Sequence, residues 1–199
     1  MSATVDLRAC AGCGLCADLC PYGAVRMEGR RPHISAEDCR SCGLCVSSCP
    51  RCALDLMACS RATVRKGVWR AAVSSGRPRC LIFACDKCGR EELARGLRSA
   101  GLRNARLVRV PCTARVDPLE IAEALASGVD VVVVVGCEPG ECEHGDAFLH
   151  AEARLRLIRS ALEVVGLKNV LFHMRSSPSS VPAVMSKIME IAGERERPK

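Results

Sequence analysis

The chain has 199 residues, enough for about two small domains, and carries 16 cysteines and a formal net charge of +7. Its N-terminus has no apolar signal stretch, and its longest apolar run, residues 131–135, is too short to span a bilayer. Secretion and membrane insertion are therefore not expected, and the cysteine usage indicates a reducing, cytoplasmic location. The positive charge suggests a nucleic-acid partner, but one Trp, one Tyr and three Phe are too few for base-stacking platforms.

A Cys-x2-Cys-x2-Cys-x3-Cys-Pro run occurs twice within the first fifty residues. This is the bacterial ferredoxin spacing for two [4Fe–4S] clusters, in which the fourth cysteine of each run ligates the other cluster. Zinc is disfavoured because two Cys-x2-Cys pairs already complete one tetrahedral site. We therefore predict one cluster held by Cys10, Cys13, Cys16 and Cys49, and a second held by Cys20, Cys39, Cys42 and Cys45.

Residues 1–58 are predicted to form an α+β ferredoxin-like domain. The close spacing of the first three cysteines of each run predicts loops with no room for a helix. Residues 24–27 and 32–34 are expected to be short strands on either side of a turn. The domain has few large apolar side chains, so most of it should unfold when iron is removed.

A basic connector is predicted at residues 59–79. Between residues 60 and 79 it has no acidic residue and six basic ones: Arg61, Arg65, Lys66, Arg70, Arg77 and Arg79. Ser60 is expected to cap a helix with Val64 and Val68 on one face. This helix either docks an acidic partner or is a solvated face between two domains.

From residue 80 onward the pattern predicts an α/β domain with a four-stranded parallel sheet, over residues 80–193, followed by a charged tail at 194–199. The expected strands are at 80–84, 106–110, 131–135 and 170–174, and the expected helices are at 91–100, from 117–118 onward, at 146–165 and at 181–192. The third strand is a run of valines, as in parallel sheets that are covered on both faces.

Five cysteines follow the first three of these strands: Cys85, Cys88, Cys112, Cys137 and Cys142. Because the carboxyl ends of parallel strands meet at one sheet edge, these thiols should lie together and form a third metal centre. The pattern allows an iron–sulfur site, a zinc site or a redox disulfide, and one of the five is a spare. His144 is a fallback ligand, and Cys52, Cys59 and Cys80 are expected to be buried packing residues.

Three segments carry a resemblance to a known family: Phe83-Ala-Cys85-Asp-Lys-Cys88, Val110-Pro-Cys112-Thr-Ala-Arg115-Val-Asp117-Pro118 and Gly136-Cys137-Glu-Pro-Gly-Glu-Cys142. They resemble the delta-subunit family of methyl-viologen-reducing hydrogenases. The resemblance implies a [2Fe–2S] cluster with ligands from the five cysteines, and Arg115 as a residue that neutralises cluster charge or holds the loop. It also implies electron transfer between a hydrogenase or formate dehydrogenase and the flavin subunit of heterodisulfide reductase.

The expected function is therefore an electron relay with three clusters, between a hydrogenase, formate dehydrogenase or ferredoxin donor and a heterodisulfide-reductase-like flavoprotein. Three thiolate-bound clusters at about −2 each bring the net charge from +7 to about +1, which further disfavours nucleic acid. No catalytic base or nucleophile is predicted. Two alternatives are a small reductase that acts on a disulfide or corrinoid substrate, and a zinc-bound regulatory or scaffold module.

Overall fold

The computed structural model describes residues 2–138, 140–177 and 179–193. The strands within these residues are β1 Ala3–Val5, β2 Val25–Glu28, β3 Arg31–Ile34, β4 Leu54–Leu56, β5 Cys80–Cys85, β6 Ala105–Val110, β7 Val131–Cys137 and β8 Leu171–Ser176. The helices are α1 Leu15–Asp18, α2 Leu44–Ser47, α3 Arg61–Ala72, α4 Arg90–Ser99, α5 Pro118–Ala126, α6 Asp146–Val164 and α7 Val181–Gly193. The expected tail at 194–199 lies outside the described residues.

The N-terminal unit contains two antiparallel strand pairs, β1 with β4 and β2 with β3. One-turn helices α1 and α2 begin after Gly14 and Gly43, whose φ angles of 83° and 81° turn each cysteine loop into a helix. The third cysteine of each run lies in that turn, so the expectation of loops without a helix is wrong there. The β1–β4 pair was not predicted, because three-residue strands are too short to show alternation.

The C-terminal unit contains a four-stranded sheet in the order β6-β5-β7-β8, and every pair is parallel. The predicted parallel sheet is therefore confirmed. The chain runs from β5 to β6 on one side and later returns to β7 on the other side of β5. The loops that follow β5 and β7 consequently diverge, which opens a crevice at the carboxyl ends of these strands.

Helices cover both faces of this sheet. One face packs against α3, α5 and α6, and the other against α4 and α7. Helix α3, which carries the basic residues of the connector, buries Val64, Val68 and Ala71, while the side chain of its N-cap, Ser60, accepts a hydrogen bond from the backbone N–H of Thr63. The connector is thus a packed layer of the fold, in which Arg65, Lys66 and Arg70 are exposed while Arg61 is partly buried and pairs with Asp117.

The two units share one hydrophobic core. Val46 and Leu56 of the N-terminal unit belong to the same buried cluster as Val64 of α3 and Val110 of β6. This continuity fixes the cysteine runs relative to the sheet edge. None of the described helices is long and apolar enough to cross a membrane.

Candidate metal centres

Two cavities in the N-terminal unit are each walled by four cysteines. The first is lined by Cys10, Cys13, Cys16 and Cys49. The second is lined by Cys20, Cys39, Cys42 and Cys45. Each cavity takes three cysteines from one run and the fourth from the other, which is the grouping that the spacing predicts. The donor set of four thiols around one space fits an iron–sulfur cluster.

Backbone groups hold the first cavity's loops in place. The N–H groups of Gly12 and Ala53 donate to the sulfurs of Cys10 and Cys49, at 3.4 and 3.3 Å. Arg30, in the β2–β3 turn, donates to the carbonyl oxygen of Ala11 at 2.9 Å. Hydrogen bonds from N–H groups to sulfur are one of the means by which a protein sets the potential of a cluster.

The two cavities differ in their surroundings. Cys13, in the first, is exposed, and the neighbouring Leu15 is also exposed. Cys42, in the second, is buried and belongs to the same apolar cluster as Cys112 and Ala147 of the C-terminal unit. The second cavity therefore lies against the C-terminal unit, and the first lies at the molecular surface.

Four of the five C-terminal cysteines form a connected string of sulfurs. Cys85 and Cys137 are the last residues of β5 and β7, and their sulfurs are 3.5 Å apart across the crevice. The thiols of Cys112 and Cys137 lie close enough to Cys142 to lower its pKa. The sulfur of Cys88 instead donates to the carbonyl oxygen of Cys85 at 3.0 Å. Within the described residues, no three His, Cys, Asp or Glu side chains lie close enough together to bind one single metal ion.

The pKa values of these thiols differ because of their hydrogen bonds and burial. The thiol of Cys112, together with the N–H groups of His144 and Gly145, lowers the pKa of Cys142 to about 6. Burial raises the pKa of Cys88 to about 12. Because metals bind the thiolate form, the loop at Cys142 is electrostatically suited to hold a ligand.

Arg115 lies in the 3-10 turn that follows Cys112 and has no exposed surface. Its two terminal nitrogens each bind a carboxylate oxygen of Glu120 at 3.0 Å, and its Nε donates to the carbonyl oxygen of Cys59 at 2.9 Å. Glu120 is in the first turn of α5, which Asp117 caps. The charge of Arg115 is therefore paired with a carboxylate, and its contacts tie the Cys112 loop to α5 and to the segment before α3.

A polar seam joins the second cysteine run to the same loop. The hydroxyl of Ser47 donates to the carbonyl oxygen of Ala114. Arg154 of α6 donates to the hydroxyls of Ser47 and Ser48 at 2.7 and 3.0 Å, and to the oxygen of Ala114 at 2.8 Å. None of these residues was predicted from the sequence, since partners 40 to 107 positions apart leave no local pattern.

The remaining cysteines and His144 have definite places. Cys59 and Cys80 are buried as expected, whereas Cys52 is exposed, so the expectation for it is wrong. His144, the expected fallback ligand, places its Nδ1 3.0 Å from the hydroxyl of Tyr22, across the boundary between the two units.

Known proteins match both units of the chain. Residues 80–195 match the family model of the methyl-viologen-reducing hydrogenase delta subunit. The chain belongs to this family. Residues 2–50 match the model of a 4Fe–4S dicluster domain, so the family match and the two four-cysteine cavities both indicate [4Fe–4S] clusters.

Curated relatives include subunits of two kinds of enzyme. The chain is 32% identical over 170 residues to one subunit of the ferredoxin/F(420)H(2)-dependent CoB-CoM heterodisulfide reductase of Methanosarcina acetivorans, a match that covers 84% of this chain and 21% of that protein. It is 34% identical over 93 residues to the iron–sulfur subunit of the F420-non-reducing hydrogenase of Archaeoglobus profundus, a match that covers 46% of this chain and 68% of that protein. The chain thus spans about a fifth of the length of the reductase subunit.

Proposed function

We propose that this chain is an iron–sulfur electron-transfer subunit. It relays electrons between a hydrogenase, formate dehydrogenase or ferredoxin donor and a heterodisulfide-reductase-like flavoprotein, and its N-terminal unit is a ferredoxin-like domain. The observation that carries the proposal is the succession of three cysteine groups along one shared core, from the surface to the sheet edge. The similarity to one subunit of a heterodisulfide reductase and one of a hydrogenase supports partners of these two kinds.

The proposed ligands follow from the way the cysteines are grouped. Cys10, Cys13, Cys16 and Cys49 hold one [4Fe–4S] cluster, Cys20, Cys39, Cys42 and Cys45 hold the other, and Cys85, Cys112, Cys137 and Cys142 hold a [2Fe–2S] cluster. Cys88 is the spare, because its sulfur donates to a backbone carbonyl at 3.0 Å, whereas Cys85 also has the sulfur of Cys137 at 3.5 Å. When bound, such clusters accept and release single electrons.

The chain's own residues set the order of the three sites. Cys42 and Cys112 belong to one buried apolar cluster, which joins the second cavity to the sheet edge. The exposed side chains of Cys13 and Leu15, both in the wall of the first cavity, leave it open to a docking protein. The donor or acceptor at this end therefore binds beside the first cavity, and the other partner binds near the crevice that follows β5 and β7.

Arg115 acts in this proposal as a positioning residue. Its guanidinium is neutralised by Glu120, so its contribution is to fix the loop that carries Cys112. The buried pair holds that loop against α5, and Gly43 of the second run packs directly on the Arg115 side chain.

A thiol–disulfide reductase is the second candidate function. The 3.5 Å separation of the Cys85 and Cys137 sulfurs favours it, because two thiols at this distance need only a small shift to form a disulfide. A reductase of this kind would turn over a disulfide substrate with an artificial donor and no partner protein. The relay predicts no such turnover.

Iron, sulfide and zinc analysis with EPR on the anaerobically purified full chain tests the proposal. We expect about ten irons, four for each cubane and two for the third centre, and no zinc. Cys137→Ala should lower the content to about eight irons, and the matched Cys88→Ala variant should keep about ten. Eight irons and one zinc in the unaltered chain would contradict the relay. Because the two units share a core, single substitutions are preferable to deletion of the N-terminal unit.

A further inference from the structure

Tyr22 lies between the second cavity and the C-terminal cysteines. It follows Cys20 and Pro21 in the chain and forms part of the wall of the second cavity. Its hydroxyl lies 3.0 Å from Nδ1 of His144, and the two rings meet edge to face with their centres 6.3 Å apart. One side chain therefore connects the second cavity to the loop that carries Cys142.

His144 continues this connection to the loop of Cys142. The backbone N–H groups of His144 and Gly145 lower the pKa of the Cys142 thiol, and the N–H of Gly145 donates to the carbonyl oxygen of Cys142 at 3.3 Å. The imidazole is half-buried at the boundary between the two units. His144 thus lies two positions after Cys142 in the same loop and contacts Tyr22 through its side chain.

Other contacts between the two units hold segments other than the Cys142 loop. The seam formed by Ser47 and Arg154 holds the loop of Cys112, and Arg61 donates to the backbone oxygen of Val46. The Cys142 loop also has a described ion pair, Glu143 with Lys87, whose two side chains are both exposed. An exposed pair of this kind contributes little, whereas the contact with Tyr22 is partly buried and joins the loop to the N-terminal unit.

We propose that Tyr22 and His144 are a pair of positioning residues that hold the Cys142 loop against the second cavity, and so keep electron exchange between the two sites fast. This inference rests on the proposed relay. No bond forms or breaks in the exchange, which oxidises one site by one electron and reduces the other by one. The pair acts by fixing the distance between the sites and by keeping water out of the space between them.

Flash photoreduction of the full chain, with the rate of re-equilibration between the centres followed optically, tests the pair. Tyr22→Phe removes the hydroxyl and keeps the ring, and we expect slower exchange with unchanged iron content. His144→Gln should also slow exchange, because its amide lies one methylene further out. His144→Asn should restore it, because the Asn oxygen occupies the position of Nδ1. His150→Gln, at an exposed histidine of α6, is the matched control and should exchange at the rate of the unaltered chain.

Amide hydrogen exchange provides a second readout that does not depend on electron flow. In Tyr22→Phe the amides of residues 143–145 should exchange about fivefold faster, the factor expected when a hydrogen bond worth about 1 kcal/mol is lost. Tyr22→Phe and His144→Gln together should have no larger effect than either alone, because both remove the same contact.

The outcomes separate this inference from the proposed function. Suppose that the unaltered chain holds about ten irons and that Tyr22→Phe exchanges electrons as fast as the unaltered chain. The positioning role is then wrong and the relay stands. If the unaltered chain lacks iron in its C-terminal unit, both proposals are wrong. Slower exchange in Tyr22→Phe and His144→Gln, restored in His144→Asn, supports the pair.

Discussion

The two cysteine runs share one spacing and one local geometry, yet the fold surrounds them differently. Gly14 and Gly43 hold equivalent places, with φ angles of 83° and 81°. A β-carbon on Gly14 would meet no atom within 4 Å, whereas one on Gly43 would lie 2.7 Å from Cβ of Arg115. Helix α1 buries only Cys16, while α2 buries Leu44, Val46 and Ser47. The repeated sequence therefore determines the shape of each loop, and its tertiary contacts determine what each loop touches.

Removal of iron should produce the largest difference between the two units. The N-terminal unit has strands of only three or four residues, so we expect its stability to depend on its metal centres, whereas the C-terminal sheet has a buried core of its own. After chelation, the amides of β1–β4 should lose protection from hydrogen exchange and those of β5 and β7 should keep it. Persistent protection of the N-terminal strands in the iron-free chain would contradict this dependence.

Arg115→Met should cause the next largest effect. It leaves the buried carboxylate of Glu120 without its partner, which typically costs about 3–5 kcal/mol. The thermal unfolding midpoint should fall, and the EPR signals of the second and third centres should change more than that of the first. Arg95→Met, at an exposed pair with Glu92, is the control and should cost less than about 1 kcal/mol. Equal losses in the two variants would contradict the positioning role of Arg115.

Gly43→Ala and Gly14→Ala form a matched pair that isolates the packing of the second run. Each introduces an alanine at positive φ, at a cost of about 1–2 kcal/mol. Only Gly43→Ala also forces the new β-carbon against Arg115. We expect a lower unfolding midpoint and faster loss of iron in Gly43→Ala than in Gly14→Ala. The same midpoint for both would show that the contact with Arg115 is not tight.

Cys52→Gly should change the stability of the chain least, and it should raise the stability where the other substitutions lower it. Cys52 has a φ of 51° at the place where the first run has Gly23, with a φ of 60°. Glycine adopts this conformation without steric cost, so the variant should stabilise the chain by about 0.5–1 kcal/mol after its own entropic penalty. The rise in unfolding midpoint should come without a change in iron content. A loss of iron would instead identify Cys52 as a ligand.

The sequence predicted the parts of the fold that depend on local pattern. The valine run of β7, the Ser60 cap and the strand-end cysteines were all visible, because each rests on neighbouring residues or on the rule for carboxyl strand ends. The joint between the two units was not visible. Arg154, Ser47 and the Tyr22–His144 contact join positions about a hundred residues apart, and one sequence contains no signal for such pairs.

The candidate site residues also divide into those that a local sequence pattern predicts and those that depend on tertiary contacts. The crossed grouping of the eight N-terminal cysteines follows from spacing alone, and the cavities have the same grouping. The choice among the five C-terminal cysteines depends on side-chain directions, such as the turn of Cys88 toward a carbonyl, which spacing does not specify. Arg115 could be singled out by its motif, but its partner Glu120 could not.

EPR power saturation of the third centre in the reduced full chain tests the central claim most directly. If the second run lies between the other two sites, its cubane should speed the relaxation of the third centre's signal. Cys42→Ala should abolish that enhancement, and Cys13→Ala, which disrupts the first site, should leave it in place. Equal relaxation in all three proteins, or a loss confined to Cys13→Ala, would contradict the order of sites.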